Sequence, residues 1–371
     1  MRISLADPRS GYLAYQEEID AAIARVLAEG QYILGPEVEV FEKEFARFVA
    51  GQNVVSTGNG TDAIELVLRA LNIGAGDLVV TTSNTAVATV AAIELSGARA
   101  LLVDVDERTL TISPEQIEAA FSRRDSNRIK AVIPVHLYGQ PADLPRIVEI
   151  LSRHNVILVE DCAQAHGATI NQKAVGTWGT ASAFSFYPTK NLGALGDGGA
   201  VVAKDPALTN RLRELREYGW KTRYVSEHPG MNSRLDSLQA AILRVKLRHL
   251  EEENSRRIEI AHRYEHGLND LDLILPAMLA NCRHVFHQYV IRSSSREALI
   301  QHLQSQGIGC GVLYPVPIHN QPAYRERVEI ASQLTVTERA AQTLMCLPVH
   351  PWLSDEQVEE IIRRVRGFFN R

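Results

Sequence analysis

Apolar residues recur at helical spacing from early in the chain. Between Gln16 and Ala28 they fall at Ile19, Ala22, Ile23, Val26 and Leu27, with Gly30 where a C-terminal cap belongs. Tyr32 to Pro36 reads as a turn, after which Val38, Phe41, Phe45 and Phe48 mark a second amphipathic helix. From there to about residue 160 two patterns alternate. Short β-branched runs predict strands at Leu78–Thr81, Ala100–Val103, Ile129–Val135 and Val156–Val159, and helical periodicity predicts helices at Thr85–Leu95, Pro114–Phe121 and Leu144–His154. Strands that are apolar throughout are buried on both faces, so the pattern predicts an α/β protein whose mostly parallel sheet is covered by helices on each side.

Beyond residue 180 a short β-prone run, Ala183 to Tyr187, is separated from a second strand by a turn holding Gly193, Gly196, Gly198 and Gly199. Pro206–Tyr218 reads as a helix ending at Gly219, and Leu235–Leu268 as one long helix. The polar loop between them holds Tyr224, Gly230, Asn232 and Arg234. From about residue 250 the tone changes to a charged segment, a strand at Val285–Ile291, a helix at Arg296–Gln306, a Pro-rich loop at Tyr314–Pro322 and a last helix at Ser354–Phe369. This predicts a large domain over residues 1–250 and a smaller α+β domain over residues 251–371, with the border inside the long helix and the N-terminal helix as a candidate to pack on the small domain.

With 371 residues, 45% hydrophobic and 22% charged, the chain has the material for a folded, soluble, two-domain protein. Its net charge of −5 comes with no basic block, which argues against nucleic acid as a partner. Cys162, Cys282, Cys310 and Cys346 are widely spaced and form no CxxC pair. They therefore suggest neither a metal site nor a disulfide framework, and a reducing cytoplasm fits. No run of apolar residues is long enough to span a membrane, and the N-terminal segment lacks the apolar core of an export signal.

Three features carry candidate chemistry. Lys190 stands alone among apolar, small and hydroxyl residues, and an amine in such surroundings is pushed toward its neutral, nucleophilic form. Gly58-Asn59-Gly60-Thr61 opens a helix, whose unpaired N–H groups and dipole suit a phosphate; the segment matches neither the P-loop nor the dinucleotide fingerprint. Asp161 ends a strand at the edge of the sheet where ligands bind. Each admits a plain structural reading, as a surface lysine in a hairpin, a capped helix, and an acid capping the next turn. Together they form the set that pyridoxal phosphate needs: a phosphate cradle, an anion for the pyridine nitrogen and an amine for the aldehyde.

The segments GNGTDAIELVLRAL, NTAVAT, VDVDERTLTISPEQIE, IPVHLYGQPADL, VEDCAQAHGA, FSFYPTKNLGALGDGGAVV, GMNSRLDSLQAAIL, VFHQYVI and YPVPIHNQPAY, spread over residues 32–350, resemble the DegT/StrS-type sugar aminotransferases. The resemblance implies the aspartate-aminotransferase-like fold of type I pyridoxal-phosphate enzymes, a three-layer αβα sandwich on a mostly parallel mixed sheet with a smaller C-terminal α+β domain. It implies that Lys190 is the Schiff-base lysine, that Asp161 pairs with the pyridine nitrogen and that Gln164 contacts the ring hydroxyl. Gly60, Thr61 and Ser185 would hold the phosphate and Asn232 would reach it from the neighbouring subunit of a homodimer. L-glutamate would be the donor, leaving pyridoxamine phosphate, and a nucleotide-linked keto sugar the acceptor. The wording after the lysine is closest to members acting at C3 of dTDP-3-keto-6-deoxyhexoses, with 4-keto sugars and keto-cyclitols as alternative acceptors. Tyr187 and His319 are the candidate sugar contacts. The sequence departs from the family at Ala86, where an aromatic ring is usual. A related sugar 3-dehydratase would have histidine in place of Lys190, and a regulatory protein retaining the fold would be expected to lose that lysine or gain a DNA-binding segment.

Overall fold

The computed structural model describes residues 2–50 and 53–369. Eight strands form its central sheet: β1 (Asn53–Thr57), β2 (Leu78–Thr82), β3 (Arg99–Val103), β4 (Ile129–Val132), β5 (Ile157–Asp161), β6 (Ala181–Ser185), β7 (Gly199–Ala203) and β8 (Glu329–Ile330). Their spatial order is β1-β7-β6-β5-β4-β2-β3-β8. Only β7 runs against the rest, pairing antiparallel with β1 and β6, because the glycine turn after the lysine brings the chain straight back beside β6. The sheet is thus mixed and mostly parallel.

Side-chain alternation along these strands builds a core on each face. Leu78 and Val80 of β2 join Leu101, Val132, Leu158 and Val202 beneath the helices Pro36–Phe48 and Leu144–His154. Val79 faces the other way, with Leu102, Ala131, Val159 and Val201, against the helices Gly60–Ala70 and Val87–Leu95. The α/β class and the three layers read from the sequence are therefore present.

A third core gathers Tyr289 and Ile291, Met345 and Leu347 of the antiparallel partner strand Leu344–Leu347, and the helices Arg296–Ser305 and Asp355–Phe369. The long helix Ser237–Leu268 serves both regions: Ala240, Leu243 and Leu250 enter the first core, whereas Ile260, Tyr264 and Leu268 enter the third. At the N-terminal end, Ile3 joins the third core. The helix Gln16–Glu29 packs Ile19, Ala22 and Val26 on Ala241, Ile242 and Val245, near the start of the long helix. No helix among the described residues is long and apolar enough to cross a membrane.

Differences from the expected elements have local causes. The strand expected at Val285–Ile291 begins only at Tyr289, because Phe286 takes a left-handed backbone (φ 42°) that an extended chain cannot hold. The strand Ile129–Val135 stops at Val132, two residues before Pro134, which has no N–H to donate to a ladder. The loop Trp220–Arg234 contains a small hairpin, Trp220–Thr222 with Val225–Ser226.

Candidate active site

The carboxyl ends of β5 and β6, the start of the helix Gly60–Ala70 and the turn after β6 surround a cavity of about 620 Å³. The helix begins there because Asn59, in extended conformation, accepts the Asp62 N–H through its side chain (2.9 Å). Gly60 lies so close to β6 that an added Cβ would meet Ser185 Cβ at 2.7 Å, and only glycine permits this approach. Thr61 and Ser185 line the cavity with it, so the first helical N–H groups and the Ser185 hydroxyl converge. The one carboxylate on that helix turn, Asp62, accepts from Ser233 Oγ at 2.6 Å.

Asp161 is buried and held from two sides, accepting from Thr89 Oγ1 (2.8 Å) and the Ala163 N–H (3.1 Å). Its neighbour Glu160 points to the other side of β5, where it accepts from the N–H groups of Gly176 (2.7 Å), Trp178 (2.8 Å) and Gly179 (2.8 Å). His136 Nδ1 accepts from the Ala142 N–H (3.0 Å), so its Nε2 carries the proton and donates to Glu160 (3.2 Å). His136, Glu160 and Cys162 are close enough to suggest a metal cluster, but both His136 nitrogens and the carboxylate are already committed to these bonds.

Lys190 sits on a tight turn in which its N–H donates to Tyr187 O (2.8 Å). Gly193 completes the turn where a side chain would collide with the Pro188 carbonyl, and Lys246 Nζ fixes the Gly193 carbonyl from below at 2.6 Å. The amine enters the cavity, and burial lowers its pKa to about 8 from an ordinary 10.5, with the Asp161 charge resisting the change. Gln164 is buried, accepting from the Tyr138 N–H (2.7 Å) and donating to Tyr314 Oη (3.2 Å) at the cavity wall.

The structure thus brings Lys190, Asp161, Gln164, Gly60, Thr61, Ser185 and the exposed Tyr187 to one cavity. Asn232 lies outside this lining, exposed beside Ser233. His319 is not brought in either. Its Nδ1 accepts from Ser83 Oγ (2.7 Å) and its Nε2 faces Glu338 (3.2 Å), so both nitrogens serve the loop. Ala86 borders the cavity with a methyl group, and the nearby rings come from Tyr187, Tyr314 and His287. Sequence reasoning missed Thr89, Tyr314 and His287, although all three sit inside motifs it had marked.

The sequence model of the DegT/DnrJ/EryC1/StrS aminotransferase family matches residues 14–366. A dTDP-3-amino-3,4,6-trideoxy-alpha-D-glucose transaminase of Streptomyces venezuelae is 42% identical over 371 residues, which is 100% of this chain and 97% of that protein. A dTDP-3-amino-3,6-dideoxy-alpha-D-galactopyranose transaminase of Aneurinibacillus thermoaerophilus is 42% identical over 366 residues, 99% of each. Among solved structures, S. venezuelae DesV in complex with a ketimine intermediate superposes with a TM-score of 0.96 at 42% identity, covering 100% of this chain and 99% of that one.

Proposed function

Because the chain belongs to the DegT/DnrJ/EryC1/StrS aminotransferase family, we propose that it is a pyridoxal-phosphate enzyme moving an amino group from L-glutamate to C3 of a dTDP-linked 3-keto-6-deoxyhexose. The observation that carries the acceptor is the 42% identity, along whole chains, to two transaminases named for 3-amino dTDP-sugars. The cofactor reading is supported by the donor set. A buried carboxylate, a lysine with lowered pKa and a helix start closed to any side chain larger than glycine's hydrogen stand around one cavity.

In this reading Gly60, Thr61 and Ser185 hold the phosphate, Asp161 the pyridine nitrogen, Gln164 the ring hydroxyl and Lys190 the aldehyde. Bound there, the cofactor supplies an electron-accepting ring. Asp161 is kept in register for its task by Thr89 and Ala163 N–H, which leave the carboxylate unable to swing away. Lys190 takes and returns a proton at Nζ, and its pKa of about 8 lets the neutral amine form near physiological pH. Tyr187 borders the mouth and is the sugar contact that remains on the cavity. Asn232 would complete the phosphate site from the partner chain of a homodimer, with residues 1–250 as the large domain, 251–371 as the small one, and the protein acting in the cytoplasm.

The test combines a spectrum and a product. The purified protein with pyridoxal phosphate is expected to develop a visible band that L-glutamate bleaches, and Lys190→Ala to lose both that response and turnover. A panel of dTDP- and UDP-linked 3-keto and 4-keto sugars, read by mass, is expected to give product first with the dTDP-linked 3-keto sugar. Turnover by Lys190→Ala would remove Lys190 from its role, and a preference for 4-keto sugars would overturn the acceptor.

A further inference from the structure

Asn191, the residue after Lys190, is buried, and its amide is used on three sides. Nδ2 donates to Val285 O (3.0 Å) and to Asn254 Oδ1 (2.8 Å), while Oδ1 lies 3.2 Å from His287 Nδ1. Asn254 is itself fixed, donating through Nδ2 to His166 O at 2.8 Å. A carbonyl oxygen only accepts, so the atom facing Val285 is the amide nitrogen; the reversed amide would set two acceptors against each other. The atom facing His287 is therefore the amide oxygen, which also only accepts. His287 Nδ1 must carry the proton, and its Nε2 is left with a bare lone pair.

His287 is 5% exposed and borders the cavity that Lys190 enters. Two other imidazoles with partners on both nitrogens are occupied elsewhere: His136 by Ala142 and Glu160, His319 by Ser83 and Glu338. Burial, then the charges of Lys190 and Arg257, with His166 and His284 also facing it, hold the His287 pKa well below 6.5, so the ring stays neutral. A neutral imidazole of fixed tautomer is an acceptor that does not compete with Asp161 for the role of anion.

We propose that His287 is a positioning residue for Lys190: the Asn191 amide locks its imidazole in the Nδ1-protonated form, and the Nε2 lone pair accepts a hydrogen bond from the Lys190 amine. This rests on Lys190 being the reactive amine, and it adds the group that aims it. One turn residue would then set the backbone of the lysine and, through His287, the direction of its side chain.

Both readouts use the cofactor-free protein, so they fail separately from any transamination assay. In the first, ¹⁵N NMR of histidine-labelled wild type, with His287 assigned by its loss in His287→Gln, is expected to show Nδ1 protonated and Nε2 bare from about pH 6 to 8. An Nε2-protonated ring, or a ring that becomes doubly protonated in that range, overturns the proposal. In the second, the pH dependence of reductive methylation of Lys190 by formaldehyde with cyanoborohydride as the hydride donor, read by peptide mass, gives the basicity of the amine. An acceptor for the ammonium raises that basicity, so His287→Met is expected to lower it about tenfold while His287→Gln, which keeps an acceptor, stays near wild type. His166→Met removes a second buried imidazole near Lys190 without touching the cavity lining, and is expected to leave the basicity unchanged. An unaltered profile in His287→Met, or an equal drop in His166→Met, refutes the role; the NMR result on wild type stands even where a variant folds poorly.

Discussion

Replacing Gly60 by alanine tests the proposed phosphate cradle without removing any polar group. The new methyl would stand 2.7 Å from Ser185 Cβ, 3.2 Å from its Cα and 3.3 Å from its Oγ, where ordinary contact begins at 3.4 Å. Some part of the pair must move by about 0.7 Å, and the helix cannot slide as a body, because Leu66, Val67 and Leu68 are fully buried on it. Overpacking of this kind costs about 1–3 kcal/mol. The apo protein is therefore expected to fold, with its urea midpoint lowered accordingly. The first turn of the helix shifts with the strain, and a displacement of that size misaligns the N–H groups that would face the phosphate. We expect pyridoxal phosphate affinity, titrated by absorbance, to fall about 10- to 100-fold, equivalent to about 1.4–2.8 kcal/mol. The double variant Gly60→Ala, Ser185→Gly relieves the collision but lacks the Ser185 hydroxyl, so it is expected to regain stability without regaining affinity. Loss of stability with unchanged affinity would place the phosphate elsewhere, and no change in either would show that the contact between helix and β6 is not rigid.

Two further outcomes follow from the charges. The folded protein binds the Lys190 proton less tightly than the unfolded chain, so between about pH 8 and 10.5 the unfolded state holds more protons and stability contributed by this group rises with pH; urea unfolding of wild type and Lys190→Met across that window is expected to converge upward for wild type, and parallel curves would contradict it. Glu160→Gln keeps the shape but replaces one acceptor oxygen with an NH2 facing N–H donors, which is expected to cost on the order of 3 kcal/mol in urea unfolding; a loss within about 0.5 kcal/mol would show that the turn Gly176–Gly179 does not depend on the carboxylate.

The sheet and both helical layers were legible because each strand is apolar on two faces and each helix carries one apolar stripe. The helix Gln16–Glu29 even ends at Gly30 in the left-handed conformation that the cap position suggested. Elements with little periodicity were not: the two-residue strand Glu329–Ile330 and the helix Thr335–Thr343 are fixed by partners distant in sequence, Leu101 and Leu102 in one case and the Asp104 carboxylate in the other. The same division runs through the site. Lys190, Gly60 and Asp161 stood out by their local surroundings. His287 and Tyr314 lie roughly 100 residues or more from the lysine in sequence, and only folding sets them on its cavity. His319 illustrates the converse, since a loop histidine in a polar motif turned out to be bound by Ser83 and Glu338.

The adjacent acids of β5 have a practical bearing on anyone who would move this chemistry to another scaffold. In its proposed role Asp161 would have to present its carboxylate in one place: Thr89 and the Ala163 N–H hold that carboxylate directly, and the strand beneath it is anchored by Glu160 gripping the Gly176–Gly179 turn and His136. Copying the lysine, the aspartate and the glycine would transplant the visible half of the site and leave its chassis behind. The smallest transferable unit is a strand with both of its faces, the one that meets the ligand and the one that never does.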